Sequence, residues 1–252
     1  MNRGVAYAAL AYMGWGLMPI YFKQLAHVGA FEVVMHRTVW AMLFLLGVLL
    51  VLKRWAWLRG LLREPRVLGA FALSALLLSC NWLVYVWAVQ NQHVLDASLG
   101  YFILPLVNVA LGYVFLHERP RPGQWLAVFV AATGVLWLTV QTDRLPWIAL
   151  LLASSFGFYG LLRKVAVLGA LEGLALETMM LAPVAMAVLG FGVWQGQSIL
   201  VQGPAETMGW LMLAGPLTAV PLLLFAAGAR RIPMATLGNG HSRIHRSQIC
   251  RA

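Results

Sequence analysis

Residues 67–89 read VLGAFALSALLLSCNWLVYVWAV and contain no charged side chain. An α-helix crosses the roughly 30 Å hydrocarbon core of a bilayer with about 20 such residues. Comparable apolar runs recur at 4–22, 33–52, 95–116, 124–141, 146–164, 174–194 and 208–228, which makes eight with the first. In lipid each segment has to satisfy its own backbone polar groups, and long continuous runs do so as helices. The short alternating segments of a membrane barrel are absent. The fold expected is therefore all-α, a polytopic membrane helix bundle with eight transmembrane helices. Composition agrees: 62% of the 252 residues are hydrophobic and 10% charged, against about 25% charged in a soluble domain.

The net charge of +10 raises the question of nucleic acid, and its distribution answers it. With the amino terminus in the cytoplasm, the inner loops hold Arg3, Lys53, Arg54, Arg59, Arg63, Arg66, Arg119, Arg121, Arg163, Lys164, Arg230 and Arg231. The outer loops hold Lys23 and Arg144. That asymmetry is the positive-inside pattern and gives the orientation. No basic stripe interleaved with aromatics appears, so the charge reports topology. The first span is longer than a secretory h-region and no A-x-A site follows it, so it is read as retained. Cys80 lies within a span and Cys250 in a polar tail, which rules out a disulfide framework and a thiolate metal site.

The two halves resemble each other in register. At an offset of 140, Lys23 falls on Arg163 and Glu32 on Glu172. At an offset of 138, VYVWAVQNQHVLDASLG (84–100) falls on LLLFAAGARRIPMATLG (222–238), which sets Trp87 on Phe225 and Gly100 on Gly238. A five-span unit, being odd in number, puts the second copy in the membrane upside down, an architecture that recurs in secondary transporters. The units expected are 1–141, a complete five-helix repeat; 142–238, an incomplete one of three helices; and 239–252, an aberrant polar tail. After Gly100 the first copy continues as YFILPLVNVALGYVFL, whereas after Gly238 the chain reads NGHSRIHRSQICRA. The expectation is a ten-helix pattern truncated or frame-shifted after Gly238, with a natural eight-span protein as the alternative.

The stretches GWGLMPIYFK, EVVMHRTVWA, NWLVYVWAV, DASLGYFILPLVNVALGYVFLHER, FGFYGLLRK, ALETMMLAPVA and VPLLLFAAGARRIPMATLG together resemble RarD-type members of the EamA family, in the drug/metabolite transporter superfamily. The resemblance runs from the first span to Gly238. It implies a five-plus-five inverted repeat in the bacterial inner membrane and secondary transport of small organic molecules, with a link to chloramphenicol sensitivity in the family's naming. Two departures stand out: Leu104 replaces an Asn of the family before Pro105, and the two spans beyond Gly238 are missing.

Charged groups inside spans are functional candidates because insertion costs about 2.5–3.5 kcal/mol at the centre. Arg37 lies about a turn inside the second span, and Glu177 takes the matching place in the seventh, as a substrate contact and a proton carrier respectively; snorkelling to the interface is the alternative reading for both. Asn81, beside Trp82 and a turn before Tyr85, serves either as interhelix glue or as cavity lining. Tyr101, Pro105, Asn108 and Gly112 form one helical stripe of the fourth span. Tyr12, Trp15 and Pro19 share a face of the first, and Tyr159 pairs with Ser155 on the sixth. Trp55, Trp57, Trp125, Trp147 and Trp210 near span ends suit an interfacial belt. Glu118 is expected to pair with Arg119 or Arg121.

The six His, at 27, 36, 93, 117, 241 and 245, show no H-E-x-x-H spacing, and no Walker A loop is present. An enzyme is not expected, nor a cofactor or metal. The function expected is an inner-membrane permease for small organic metabolites or drugs, multi-pass with a cytoplasmic amino terminus, working by alternating access. The alternative is a membrane fragment or scaffold without activity. Partners called for are the lipid bilayer, a small-molecule substrate and protons, not nucleic acid; a homodimer is one open assembly.

Overall fold

The computed structural model of the chain describes residues 3–53, 55–61, 64–120, 122–142 and 146–231. The tail from 239 onward, including Cys250, and Arg144 lie outside them. Every regular element among the described residues is helical: α1 (Arg3–Gly16), α2 (Met18–Gln24), α3 (Ala30–Val51), α4 (Ala56–Leu61), α5 (Pro65–Gln90), α6 (Val94–Leu116), α7 (Pro122–Thr142), α8 (Trp147–Val165), α9 (Ala170–Trp194), α10 (Ile199–Gln202) and α11 (Ala205–Ala229). The bundle is all-α and polytopic. Seven candidate spans are long and apolar enough to cross a membrane, with α1 and α2 counted as one. The expected span at 124–141 is α7, whose apolar stretch Pro122–Trp137 is shorter.

Three spans start three or four residues before their apolar runs do. Glu32, Glu172 and Glu206 sit in the first turns of α3, α9 and α11, where a carboxylate faces unpaired backbone N–H groups at the positive end of the helix. A search for apolar runs begins after such residues. The first span breaks at Leu17, between α1 and α2, because Pro19 supplies no N–H and its ring crowds the carbonyl a turn earlier.

The packing has a paired character. α1 packs on α11 and α8 on α5; α3 packs on α11 and α5 on α9; α3 and α9 pack on each other, and α6 packs on α8. Moved 140 positions along the chain, every buried residue of α5 falls on a buried residue of α11, from Phe71 on Leu211 to Val89 on Ala229. The buried set of α3 likewise falls on that of α9, from Val33 on Gly173 to Leu49 on Leu189, except that Ala41 falls on half-buried Leu181. For α1, α2 and α8 the best shift is 141: Ala8, Ala11, Met18 and Phe22 fall on Ala149, Leu152, Tyr159 and Arg163, all buried. The 138 offset seen in the sequence sets exposed Trp87 on buried Phe225; a shift of 140 sets Tyr85 there instead.

Candidate functional site

An apolar cleft opens between the first span, α5, α6 and α8. Its walls are aromatic: Trp15 from α1, Trp82 and Tyr85 from α5, Tyr101 from α6 and Phe156 from α8. Trp15 meets Phe156 edge-on with centroids 5.1 Å apart, and Trp82 meets Tyr85 edge-on at 5.8 Å. A second cleft shares Trp15, Tyr85 and Tyr101 and adds Tyr12, Gly16 and Pro19 where the first span breaks. Leu104 lines the first cleft with an apolar surface.

Asn81 does both things the sequence left open. Its amide donates to Leu152 O at 3.0 Å and to Ser155 Oγ at 2.9 Å, which fastens α5 to α8, and it also lines the cleft. Asn108 is buried on α6 outside both clefts, so of its stripe only Tyr101 reaches them. Tyr159 is fully buried, with its hydroxyl lacking a hydrogen-bond partner, and it too stands outside the clefts.

Three charged side chains, Arg37, Glu177 and Arg163, are buried in the bundle, and none of them lines the two clefts. Arg37 of α3 is 3% exposed, so it does not snorkel. Its guanidinium lies 4.9 Å from the centroid of the Trp82 ring, and its Nε has no hydrogen-bond partner. Glu177 of α9 is 1% exposed. It accepts from Ser74 Oγ at 2.6 Å and pairs with Arg163 Nη1 at 3.8 Å. Arg163 donates through Nη2 to Gly169 O and Ala170 O at 3.2 and 2.9 Å and lies over the Phe71 ring at 5.7 Å. Gly173 gives the guanidinium room, since a Cβ there would collide with Arg163 Nη1.

These features coincide with a family match over residues 2–140, described as the EamA-like transporter family. The chain belongs to the EamA-like transporter family. It is 46% identical over 238 residues to an uncharacterized transporter of Pseudomonas aeruginosa, covering 94% of this chain and 80% of that protein. It is 44% identical over 237 residues to the protein RarD of Escherichia coli, with 94% and 80% covered. It is 44% identical over 240 residues to the protein RarD of Streptomyces exfoliatus, with 94% and 75% covered. The chain is thus a multi-pass membrane protein of a transporter family.

Sequence reasoning missed Arg163 and Ser74 as members of a buried charge site. Arg163 reads as an inner-loop cation because it stands beside Lys164 near a span end. α8 runs on to Val165, which turns Arg163 inward and leaves Lys164 to meet Glu118 Oε1 at 3.2 Å. That ion pair joins the C-terminal ends of α6 and α8; Arg121, one of the two partners the sequence suggested for Glu118, lies outside the described residues. Gln90, the last residue of α5, donates to Leu25 O and Val28 O at 3.1 and 2.8 Å. Trp125 and Trp147 are exposed near helix ends as a belt requires, whereas Trp55 and Trp57 pack against the core.

Proposed function

We propose that the protein is a secondary transporter of small organic molecules in a bacterial inner membrane, with its amino terminus in the cytoplasm. The observation that carries this reading is the aromatic cleft bounded by α8 on one side and by the first span, α5 and α6 on the other. Under the repeat proposed here, 1–141 and 142–238 are inverted copies, and this cleft then lies between them, where such architectures hold their substrates. The matching burial of α3 with α9 and of α5 with α11 at one constant shift supports the repeat. Alternating access is the rocking of the two copies about the cleft. Trp15, Trp82, Tyr85 and Tyr101 stack a flat solute, Tyr12 extends the surface at the break of the first span, and Asn81 supplies the amide. Asn108 and Tyr159 hold α6 and α8 behind that wall. Glu177 carries the coupling proton, exchanged when Arg163 and Ser74 release it.

The test is reconstitution into liposomes loaded with the pH dye pyranine and challenged with small aromatic acids, amines and amino acids. A solute-driven change of internal pH is expected from the unaltered protein, lost in Glu177→Gln and reduced at least about tenfold in Arg37→Ala, which equals about 1.4 kcal/mol of interaction. Unaltered rates in both variants would remove both residues from the mechanism.

A further inference from the structure

We infer that the solute is an organic anion and that Arg37 is the group that selects it, a deepening that rests on the transport reading of the aromatic cleft. A guanidinium stays charged in a protein, and a charge removed from water without a counter-ion is costly. Arg37 is buried within a span, yet no carboxylate pairs with it among the described residues. The acid nearest in kind, Glu177, is engaged by Arg163 and Ser74. Glu32, at the start of the same helix, accepts from Ser198 Oγ at 2.7 Å and Ile199 N at 2.9 Å. Among the described residues Arg37 has the face of Trp82 and the phenol of Tyr159 as neighbours, and neither is a carboxylate.

Arg37 of α3 and Glu177 of α9 correspond at a shift of 140, and α2 corresponds to α8 at 141. Glu177 has Arg163 as its counter-charge, and at the shift of 141 that suits α2 and α8 the residue corresponding to Arg163 is buried Phe22, an apolar ring 5.9 Å from Trp82, while Lys23 next to it is exposed. The charge complement built for Glu177 has no equivalent for Arg37. Trp82 is at once the partner of the guanidinium and a wall of the cleft. A ring face holds a cation through its quadrupole, for about 0.5–2 kcal/mol, and a carboxylate holds it by charge and by paired N–H donors. A ligand with a flat apolar body for Trp15, Tyr85 and Phe156 and one acidic group exchanges the Trp82 face for its own carboxylate. Its chemical class is an aromatic or similarly flat monocarboxylate.

The probes are 2-naphthoate and its uncharged isostere 2-naphthamide, with binding to the detergent-purified full chain followed by ligand-induced thermal stabilisation. The acid is expected to bind about 10- to 100-fold more tightly than the amide, the range of a charge-assisted hydrogen bond. Arg37→Gln removes that preference and leaves the amide's affinity unchanged; Arg37→Lys, which keeps the charge, retains part of it and guards against a misfolded Gln variant. Equal binding of acid and amide, or a preference that survives Arg37→Gln, overturns the inference. If both bind equally and Trp15→Ala weakens both, the cleft reading stands and only the anion falls. Binding of neither compound overturns the two together.

Discussion

Arg37 and Glu177 occupy the same place in two helices, each seven residues past the helix start, yet their surroundings differ completely. Glu177 meets a hydroxyl and a guanidinium contributed by α5 and α8; Arg37 meets an indole. One charge has an opposite charge beside it, although Glu177 Oε2 and Arg163 Nε lack hydrogen-bond partners, and the other has no counter-charge among the described residues. The Glu177 cluster therefore belongs to stability as well as to any proton step, whereas Arg37 can be exchanged with little structural consequence. The largest expected effect tests the first half of that contrast. Arg163→Ala strands Glu177 without a counter-charge, and breaking a buried pair in this way costs about 3–5 kcal/mol. Thermal unfolding in detergent should show that loss, and adding Glu177→Gln to the same chain should restore more than half of it. Arg37→Leu should change stability by no more than about 2 kcal/mol, because only a cation–π contact is given up. Equal losses in Arg163→Ala and Arg37→Leu would erase the distinction.

A second asymmetry concerns how closely the helices approach. Gly215 of α11 faces the backbone of α3, and a Cβ at that position would fall 2.6 Å from Ala41 N and Trp40 O. Its counterpart 140 residues earlier, Ala75 of α5, already carries a Cβ and is equally buried. Helix backbones that touch through glycine leave no slack, as in other membrane bundles. Gly215→Ala should then cost about 1–3 kcal/mol through overpacking, against about 1 kcal/mol for Ala75→Gly, the propensity difference in a helix. Unfolding midpoints of the two variants, compared with the parent, give the answer. A harmless Gly215→Ala would mean that α11 can slide on α3.

How much of this could be read beforehand depends on how local the signal is. The spans were legible because lipid forces each of them to announce itself as an apolar run, and their early starts at Glu32, Glu172 and Glu206 were hidden because an acidic residue at a helix N-terminus looks like a loop. The burial of Arg37 and Glu177 was visible as an expense, not as a geometry. The Ser74–Glu177–Arg163 cluster was invisible, since it joins residues from three helices, with 103 positions between Ser74 and Glu177. Lys164 next door gave Arg163 the look of a loop residue, and Gly173, which makes room for its guanidinium, carries no chemical mark of its own. The aromatic cleft was half legible: Trp15, Asn81, Trp82, Tyr85 and Tyr101 were picked by type and spacing. Phe156 and Leu152 enter only because α8 packs against α5 and α6.

The smallest effect lies where the two matching interfaces differ in polarity. Asn81 fastens α5 to α8 through Leu152 O and Ser155 Oγ. Under the same shifts of 140 and 141, its counterpart is Pro221 and that of Ser155 is Gly14. These two form the dry contact between α11 and α1, where a Cβ on Gly14 would sit 3.0 Å from Pro221 Cγ. Interhelix hydrogen bonds in membranes are weak on average, about 0.6 kcal/mol and at most about 1.7. Asn81→Ala should fall within that range, because Ser155 keeps its bond to Leu151 O at 2.6 Å and no buried donor is orphaned. A loss well above 2 kcal/mol would make the amide the principal fastening of α5 to α8. A loss near zero, together with weaker naphthoate binding, would assign Asn81 to the solute, since the amide lines the cleft that Leu104 leaves otherwise apolar.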